Sequence, residues 1–223
     1  MHLDQLWSFL PHFRKLIPKA DRMACALARL LPNLGGPGAA VRRVYAAVTH
    51  SVLLYGAPVW AEEMDGSAQL RRITHGCQRR IASRIARAYR TVSFSAVTVL
   101  VGIPPIERLA AMYAEVYHWR RAFRAAGRKI TSTRMEEARR RARAKALAGW
   151  RESLRDERLA GARTLDAIRP VFPAWIDRRH EQLSFHLTQI LTGHGCFGAY
   201  LQRIGRERSA RCHHCRRSVV DDA

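Results

Sequence analysis

Apolar residues recur every three or four positions along most of this chain, a spacing that places them on one face of an α-helix. The pattern predicts a first helix over residues 9–31, with a kink at Pro18, and the glycine and proline residues of 33–38 end it. A strongly apolar second helix is predicted over residues 39–63, and a third over residues 67–88. We therefore expect the first part of the chain to form a helical bundle.

Two further helices are predicted after residue 92. We expect Ser93 to cap a short helix that ends near Gly102, and Pro105 to open a helix that runs to about Ala126. This longer helix should pack through its apolar face. The inward positions are expected to be Ile106, Leu109, Met112, Tyr113, Val116 and Phe123.

Prolines at positions 170 and 173 separate the last part of the chain from the segment before it. A packed helix is predicted to follow them and to stop at Gly193, and a short helix is predicted to end near Ile204. No window alternates apolar and polar residues as a strand would. The predicted fold class is all-α, with a helical bundle, a basic helical arm and a small helical C-terminal region.

The chain is strongly basic. It has 39 Lys and Arg against 18 Asp and Glu, a net charge of +21, and 35 of the basic residues are Arg. A GC-rich gene would explain the choice of Arg over Lys, but not the size of the excess of basic over acidic residues. Because guanidinium groups bind phosphate well, the composition favours a polyanionic partner, most simply nucleic acid.

Two segments are dense in arginine. Residues 120–158 hold fourteen basic and five acidic residues, and they should form a long exposed helix or stay partly disordered. Residues 71–90, in and just after the third predicted helix, carry seven arginines with no acid between them, so these cations should face solvent or phosphate. The candidate nucleic-acid contacts are Arg71, Arg72, Arg79, Arg80, Arg84, Arg87, Arg139, Arg140, Arg141 and Arg143. A solvated basic surface is the alternative for both segments, and the second could also be a nuclear address.

The cysteines and the N-terminal segment predict an intracellular protein, nuclear or cytoplasmic. Five scattered cysteines do not resemble a disulfide framework, and the first residues do not have the pattern of a secretory signal peptide. The uncharged residues 44–61 contain Gly56 and Pro58, and they fit a buried helix better than a membrane span. We expect neither secretion nor a membrane partner.

Cys212 and Cys215 have the Cys-x-x-Cys spacing of half a zinc site. Four ligands within this chain would require His194 and Cys196 from the far side of a predicted helix, which would make a zinc-stabilised interaction domain. Two unpaired cysteines without metal are the alternative.

Five strings in a fixed order carry a family resemblance. They are LPNLGGP at residues 31–37, SVLLYGAPVW at 51–60, YRTVS at 89–93, GIPP at 102–105 and LTQILTGHGCF at 187–197. Together they resemble the C-terminal part of reverse transcriptases from insect-type non-LTR retrotransposons, the R-one and jockey-like groups. The resemblance covers essentially the whole chain.

The resemblance implies that this chain corresponds to the part of the polymerase that comes after the palm. Residues 1–30 would be the exit from the palm, 31–126 the helical thumb and its continuation, 127–164 a basic arm or linker, and 165–223 a helical region that ends in a zinc knuckle. In that family the knuckle is a Cys-x-x-Cys followed by His and Cys, so Cys212 and Cys215 would be its first two ligands.

The resemblance also implies an activity that this chain should lack. The parent would be an RNA-directed DNA polymerase with an endonuclease, and its palm carboxylates would hold Mg²⁺. The signature aromatic-x-Asp-Asp is absent, and residues 219–222 imitate it without strands to form a hairpin. We expect a non-catalytic segment that binds template-primer RNA and DNA through its arginine-rich helices, beside the palm and fingers of the parent. A domesticated nucleic-acid-binding module is the alternative.

Overall fold

The computed structural model describes residues 8–178 and 183–211. Within these ranges the secondary structure is helical, with no β-strand, and this confirms the all-α class. The α-helices are α1 Leu10–Ala28, α2 Ala39–Leu53, α3 Ala57–Gly66, α4 Ala68–Ala86, α5 Phe94–Val101, α6 Ile106–Ala125, α7 Ser132–Ser153, α8 Ala162–Ile168, α9 Phe172–Asp177, α10 Phe185–Thr192 and α11 Gly198–Arg203. A 3-10 turn, Arg169–Val171, joins α8 to α9.

The single helix predicted over residues 39–63 is wrong, because the chain breaks between α2 and α3. Gly56 has a left-handed backbone with φ of 73°, which a residue with a Cβ adopts at a cost. The indole Nε1 of the buried Trp60 donates to the carbonyl oxygen of Tyr55 at 3.1 Å, so the tryptophan holds the turn from inside the core.

The helix predicted to stop at Gly193 also differs. Its residues are divided between α9, which ends at Asp177, and α10, which begins at Phe185. Ser184 caps α10, because its hydroxyl accepts from the backbone N–H of Leu187 at 3.0 Å. A serine in that position favours a new helix start, and the apolar periodicity alone did not reveal it.

The core is continuous from the first helices to α9. Phe13 of α1 meets Trp60 of α3 edge to face, with 5.0 Å between ring centroids, and Trp150 of α7 meets Phe172 of α9 in the same way at 5.3 Å. All four rings belong to one buried cluster. Trp60 and Trp150 are therefore anchors of the core.

The basic segment after residue 126 forms an ordered helix that packs on α6. Ala142, Ala146 and Trp150 are the buried residues of α7, and their spacing of four residues defines the face turned towards α6. Since α7 runs back along α6, the two helices form a hairpin. Residues 118–141 lie at its tip, where no side chain is fully buried. Residues 120–158 were expected to form a long exposed helix or to stay partly disordered, and the structure instead divides them between the end of α6 and α7, with a break between the two helices.

A buried amide fixes the GIPP loop between α5 and α6. The side chain of Gln78 on α4 donates from Nε2 to the carbonyl oxygen of Pro104 at 2.8 Å and accepts from the backbone N–H of Ile106 at 3.0 Å. This pairing satisfies a free donor at the start of α6 inside the core. The loop is therefore a packing joint between α4 and α6.

No single helix in the described ranges has the length and apolar character needed to cross a membrane, although the bent pair α5 and α6 meets that criterion when the two are taken together.

Candidate nucleic-acid interface

Helix α4 carries five of the six arginines that the sequence singled out in the first half of the chain, and the sixth, Arg87, is its C-cap. Its start is defined by Ser67, whose hydroxyl accepts from the backbone N–H of Leu70 at 3.3 Å. Its end is Arg87, which has a left-handed backbone with φ of 58°. The face that holds Leu70, Cys77, Ile81 and Ile85 is buried against the bundle.

Four of these six arginines are engaged within the protein, and they point to different neighbours. Arg80 forms a two-pronged pair with Asp21 of α1, with 3.1 Å between Nε and Oδ1. Arg71 donates to the carbonyl oxygen of Asp65, and Arg79 donates from Nε to that of Val92 at 2.7 Å. Arg87 reaches the carbonyl oxygens of Asn33 and Pro37, each at 3.5 Å. The sequence alone did not predict these partners.

The expectation of seven uncompensated cations along residues 71–90 is therefore wrong for Arg80, which has an acidic partner 59 positions earlier in the chain. Arg72 and Arg84 are different. Both side chains are exposed, and neither guanidinium group makes a hydrogen bond or ion pair with another described residue. On α4 they are the side chains best placed to reach an external phosphate.

A buried arginine that the sequence did not single out organises the same region. Arg42 of α2 is 1% exposed, and its guanidinium donates to the carbonyl oxygens of Pro37 at 2.9 Å, Arg84 at 2.7 Å and Pro32. Burial lowers the pKa of Arg42, and the charges of Arg87 and Arg84 lower it further. The LPNLGGP string is thus a loop wrapped around a guanidinium group. No sequence signal separates Arg42 from its exposed neighbour Arg43.

Arginines also border a groove of about 700 Å³ among α1, α2 and α4. Leu27, Ala46 and Ile85 contribute to its apolar floor, while Arg29 and Arg84 stand exposed at its edge. The groove brings Arg84 together with a cation from α1, so a ligand phosphate at this edge would meet positive charge from two helices.

The second predicted cluster, Arg139, Arg140, Arg141 and Arg143, lies on the exposed surface of α7. None of the four forms an ion pair with another described residue, whereas Lys145 on the same helix pairs with Glu115 of α6 at 3.1 Å. The α7 cluster is therefore a set of exposed guanidinium groups without an acidic partner in the part of the chain that the structure describes.

The described residues contain no group of three or more His, Cys, Asp or Glu side chains that could hold a metal ion. His194 is half-buried, its Nδ1 lies 2.8 Å from the carbonyl oxygen of Thr192, and burial is the main cause that lowers its pKa. Cys196 is exposed. Cys212, Cys215 and residues 219–222 lie outside the described ranges, so the half zinc site stays a prediction.

Comparison with known proteins finds relatives that align with almost the whole chain. Over 211 residues it is 31% identical to the putative 115 kDa protein in type-1 retrotransposable element R1DM of Drosophila melanogaster, a match that covers 92% of this chain. This chain is homologous to R1 retrotransposon proteins. The resemblance drawn from the five strings is confirmed at this level.

A second R1 relative agrees. The chain is 25% identical over 224 residues to the retrovirus-related Pol polyprotein from type-1 retrotransposable element R1 4 of Nasonia vitripennis, with 96% of this chain covered. The chain spans about 20% of the Drosophila relative and 55% of the Nasonia relative. No family model and no solved structure matches the chain.

Proposed function

We propose that this R1-related chain is a non-catalytic, nucleic-acid-binding segment of a retrotransposon RNA-directed DNA polymerase, which grips template-primer RNA and DNA through its arginine-rich helices. The observation that carries the proposal is the set of exposed arginines without acidic partners on α4 and α7, in a chain of net charge +21. Such groups release counterions when they meet phosphate, and this release is the main source of sequence-independent affinity.

The ten candidate arginines do different work in this proposal. Arg72 and Arg84 of α4 and the four arginines of α7 contact phosphate. Arg71, Arg79, Arg80 and Arg87 hold α4 against its neighbours, which keeps Arg72 and Arg84 on a rigid support. The palm and fingers of the parent polymerase would supply the carboxylates and Mg²⁺ that synthesis requires.

Fluorescence anisotropy across a salt series tests the binding. A labelled RNA–DNA duplex should bind with a log–log salt slope of several units, as expected for several phosphate contacts. The double variant Arg72→Gln/Arg84→Gln should lower the slope by about two. Arg14→Gln/Arg22→Gln on exposed positions of α1 is the matched control and should leave the slope unchanged. Binding that does not respond to salt would contradict the proposal.

Primer extension with Mg²⁺ tests the absence of catalysis. The purified chain should yield no templated product, because no aromatic-x-Asp-Asp is present. Templated synthesis would show that the chain carries catalytic carboxylates of its own.

Metal analysis after gel filtration addresses the zinc hypothesis, and one equivalent of zinc per chain would favour the tetrad of His194, Cys196, Cys212 and Cys215.

A further inference from the structure

Two tyrosines stand exposed on α6, although the apolar pattern predicted that the first of them packs inward. Tyr113 is 49% exposed and Tyr117 is 48% exposed. Arg120 and Arg124 follow them and are also exposed. With 100° between successive residues of an α-helix, these four side chains fall within an arc of about 60° and extend along about 16 Å of the helix. We name them the α6 stripe.

The α6 stripe begins where the core ends. Ile106 and Ala110 precede Tyr113 on the same side of α6, and both are buried, with exposed fractions of 0%. Trp119 and Phe123 lie on a different side, where they line a recess shared with Arg134 and Ala138 of α7. Neither the core nor α7 therefore covers the two tyrosines.

The stripe has no acidic neighbour on its own helix. Glu115 is the only acid between Glu107 and Glu136 in the sequence, and it faces α7, where it pairs with Lys145. Arg121 is exposed on α6 beside the stripe and adds further positive charge. An occupant of the stripe must therefore offer negative charge together with flat apolar surfaces.

We propose that the α6 stripe binds unpaired nucleotides of single-stranded nucleic acid, with bases stacked on Tyr113 and Tyr117 and phosphates paired with Arg120 and Arg124. This inference rests on the proposed function and adds a second contact, which distinguishes single strands from duplexes. Aromatic faces accept any base, whereas the bases of a duplex are hidden in the stack, so the stripe should prefer single strands. An acidic peptide would supply charge without the stacking surfaces.

The test uses the full chain and labelled ten-nucleotide probes. Tyr113→Ser/Tyr117→Ser should weaken binding of a single-stranded oligonucleotide by about tenfold for each tyrosine removed, since each stacked base contributes on the order of one decade in affinity. Tyr113→Phe/Tyr117→Phe should keep the affinity because the ring remains. Tyr55→Ser, which alters a tyrosine that is 77% exposed outside the stripe, is the matched control.

An abasic oligonucleotide with the same number of phosphates separates stacking from charge. The unmodified chain should bind it about as weakly as the serine double variant binds the normal probe, while binding of a fully paired duplex should be the same for both proteins. DNA and RNA probes of one sequence show whether the 2′-hydroxyl contributes. Equal affinity for normal and abasic probes, or stronger binding of a poly-glutamate peptide, would overturn this inference. Loss of all salt-dependent binding would instead overturn the proposed function.

Discussion

The arginines of α4 and those of α7 look alike in the sequence, but they differ in what they contact. On α4, Arg71, Arg79 and Arg87 donate to backbone carbonyl oxygens and Arg80 pairs with Asp21. On α7 the four clustered arginines project from one exposed helix and form no ion pair with the described residues. Most of the positive charge on α4, close to the core, is therefore used for architecture and only Arg72 and Arg84 stay available to a partner, whereas all four clustered arginines of the projecting hairpin stay available.

The largest effect on stability is expected when the buried Arg42 is replaced. Arg42→Met should lower the free energy of unfolding by about 3 kcal/mol or more, because several partly buried carbonyl oxygens lose their donor at once. Urea denaturation measures the change. Arg43→Met is the adjacent control, and it should cost under about 1 kcal/mol because Arg43 is exposed and its one backbone bond, to Val101, is long at 3.3 Å. Equal losses would mean that Arg42 does not organise the loop.

A buried histidine on α2, the helix that carries Arg42, should make the bundle sensitive to acid. Burial lowers the pKa of His50 to about 4, so the folded chain favours the neutral ring. The unfolded chain takes up the proton near pH 6.5, and stability should therefore fall as the pH drops from about 6.5 to 4, by roughly 3 kcal/mol in total. His50→Leu should remove this part of the pH dependence in thermal melts, while the exposed His118→Gln should retain it.

Replacing the exposed arginines of α7 should weaken nucleic-acid binding without changing the stability of the fold. Arg139→Gln/Arg140→Gln/Arg143→Gln removes three free charges and should weaken binding of a nucleic-acid duplex by at least about tenfold at moderate salt, with a smaller salt slope. The melting temperature should be nearly unchanged, because these side chains are exposed. Unfolding of this variant would place the cluster with the architectural arginines of α4.

The smallest effect is expected at the pair that links α1 to α4. Asp21→Asn breaks the ion pair with Arg80, and because Arg80 is exposed the stability should fall by less than about 1 kcal/mol. The variant also releases a guanidinium group at the groove, so nucleic-acid binding should become slightly tighter. A weaker complex would show that Arg80 must be held in place in order to bind.

Much of the architecture followed from local signals. The limits of α5 and α6 agree with the predicted Ser93 cap and the Pro105 start, because caps and prolines act within a few residues of themselves. The break at Gly56 was missed, since an uninterrupted apolar run hides a turn that depends on how Trp60 packs. Tyr113 was misassigned because helical spacing shows which residues share a face, but not where the neighbouring helices stop covering it.

The sequence by itself determined the helical class, the excess of arginine and, through five ordered strings, the relationship to R1 retrotransposon proteins. Only the tertiary structure decided which guanidinium groups are occupied. Arg80 pairs with Asp21, 59 positions away, and Arg42 binds the carbonyl oxygen of residue 84, 42 positions away, separations that no local pattern encodes. Periodicity and capping depend on neighbours along the chain, whereas the partner of a long charged side chain depends on which helices the core brings together.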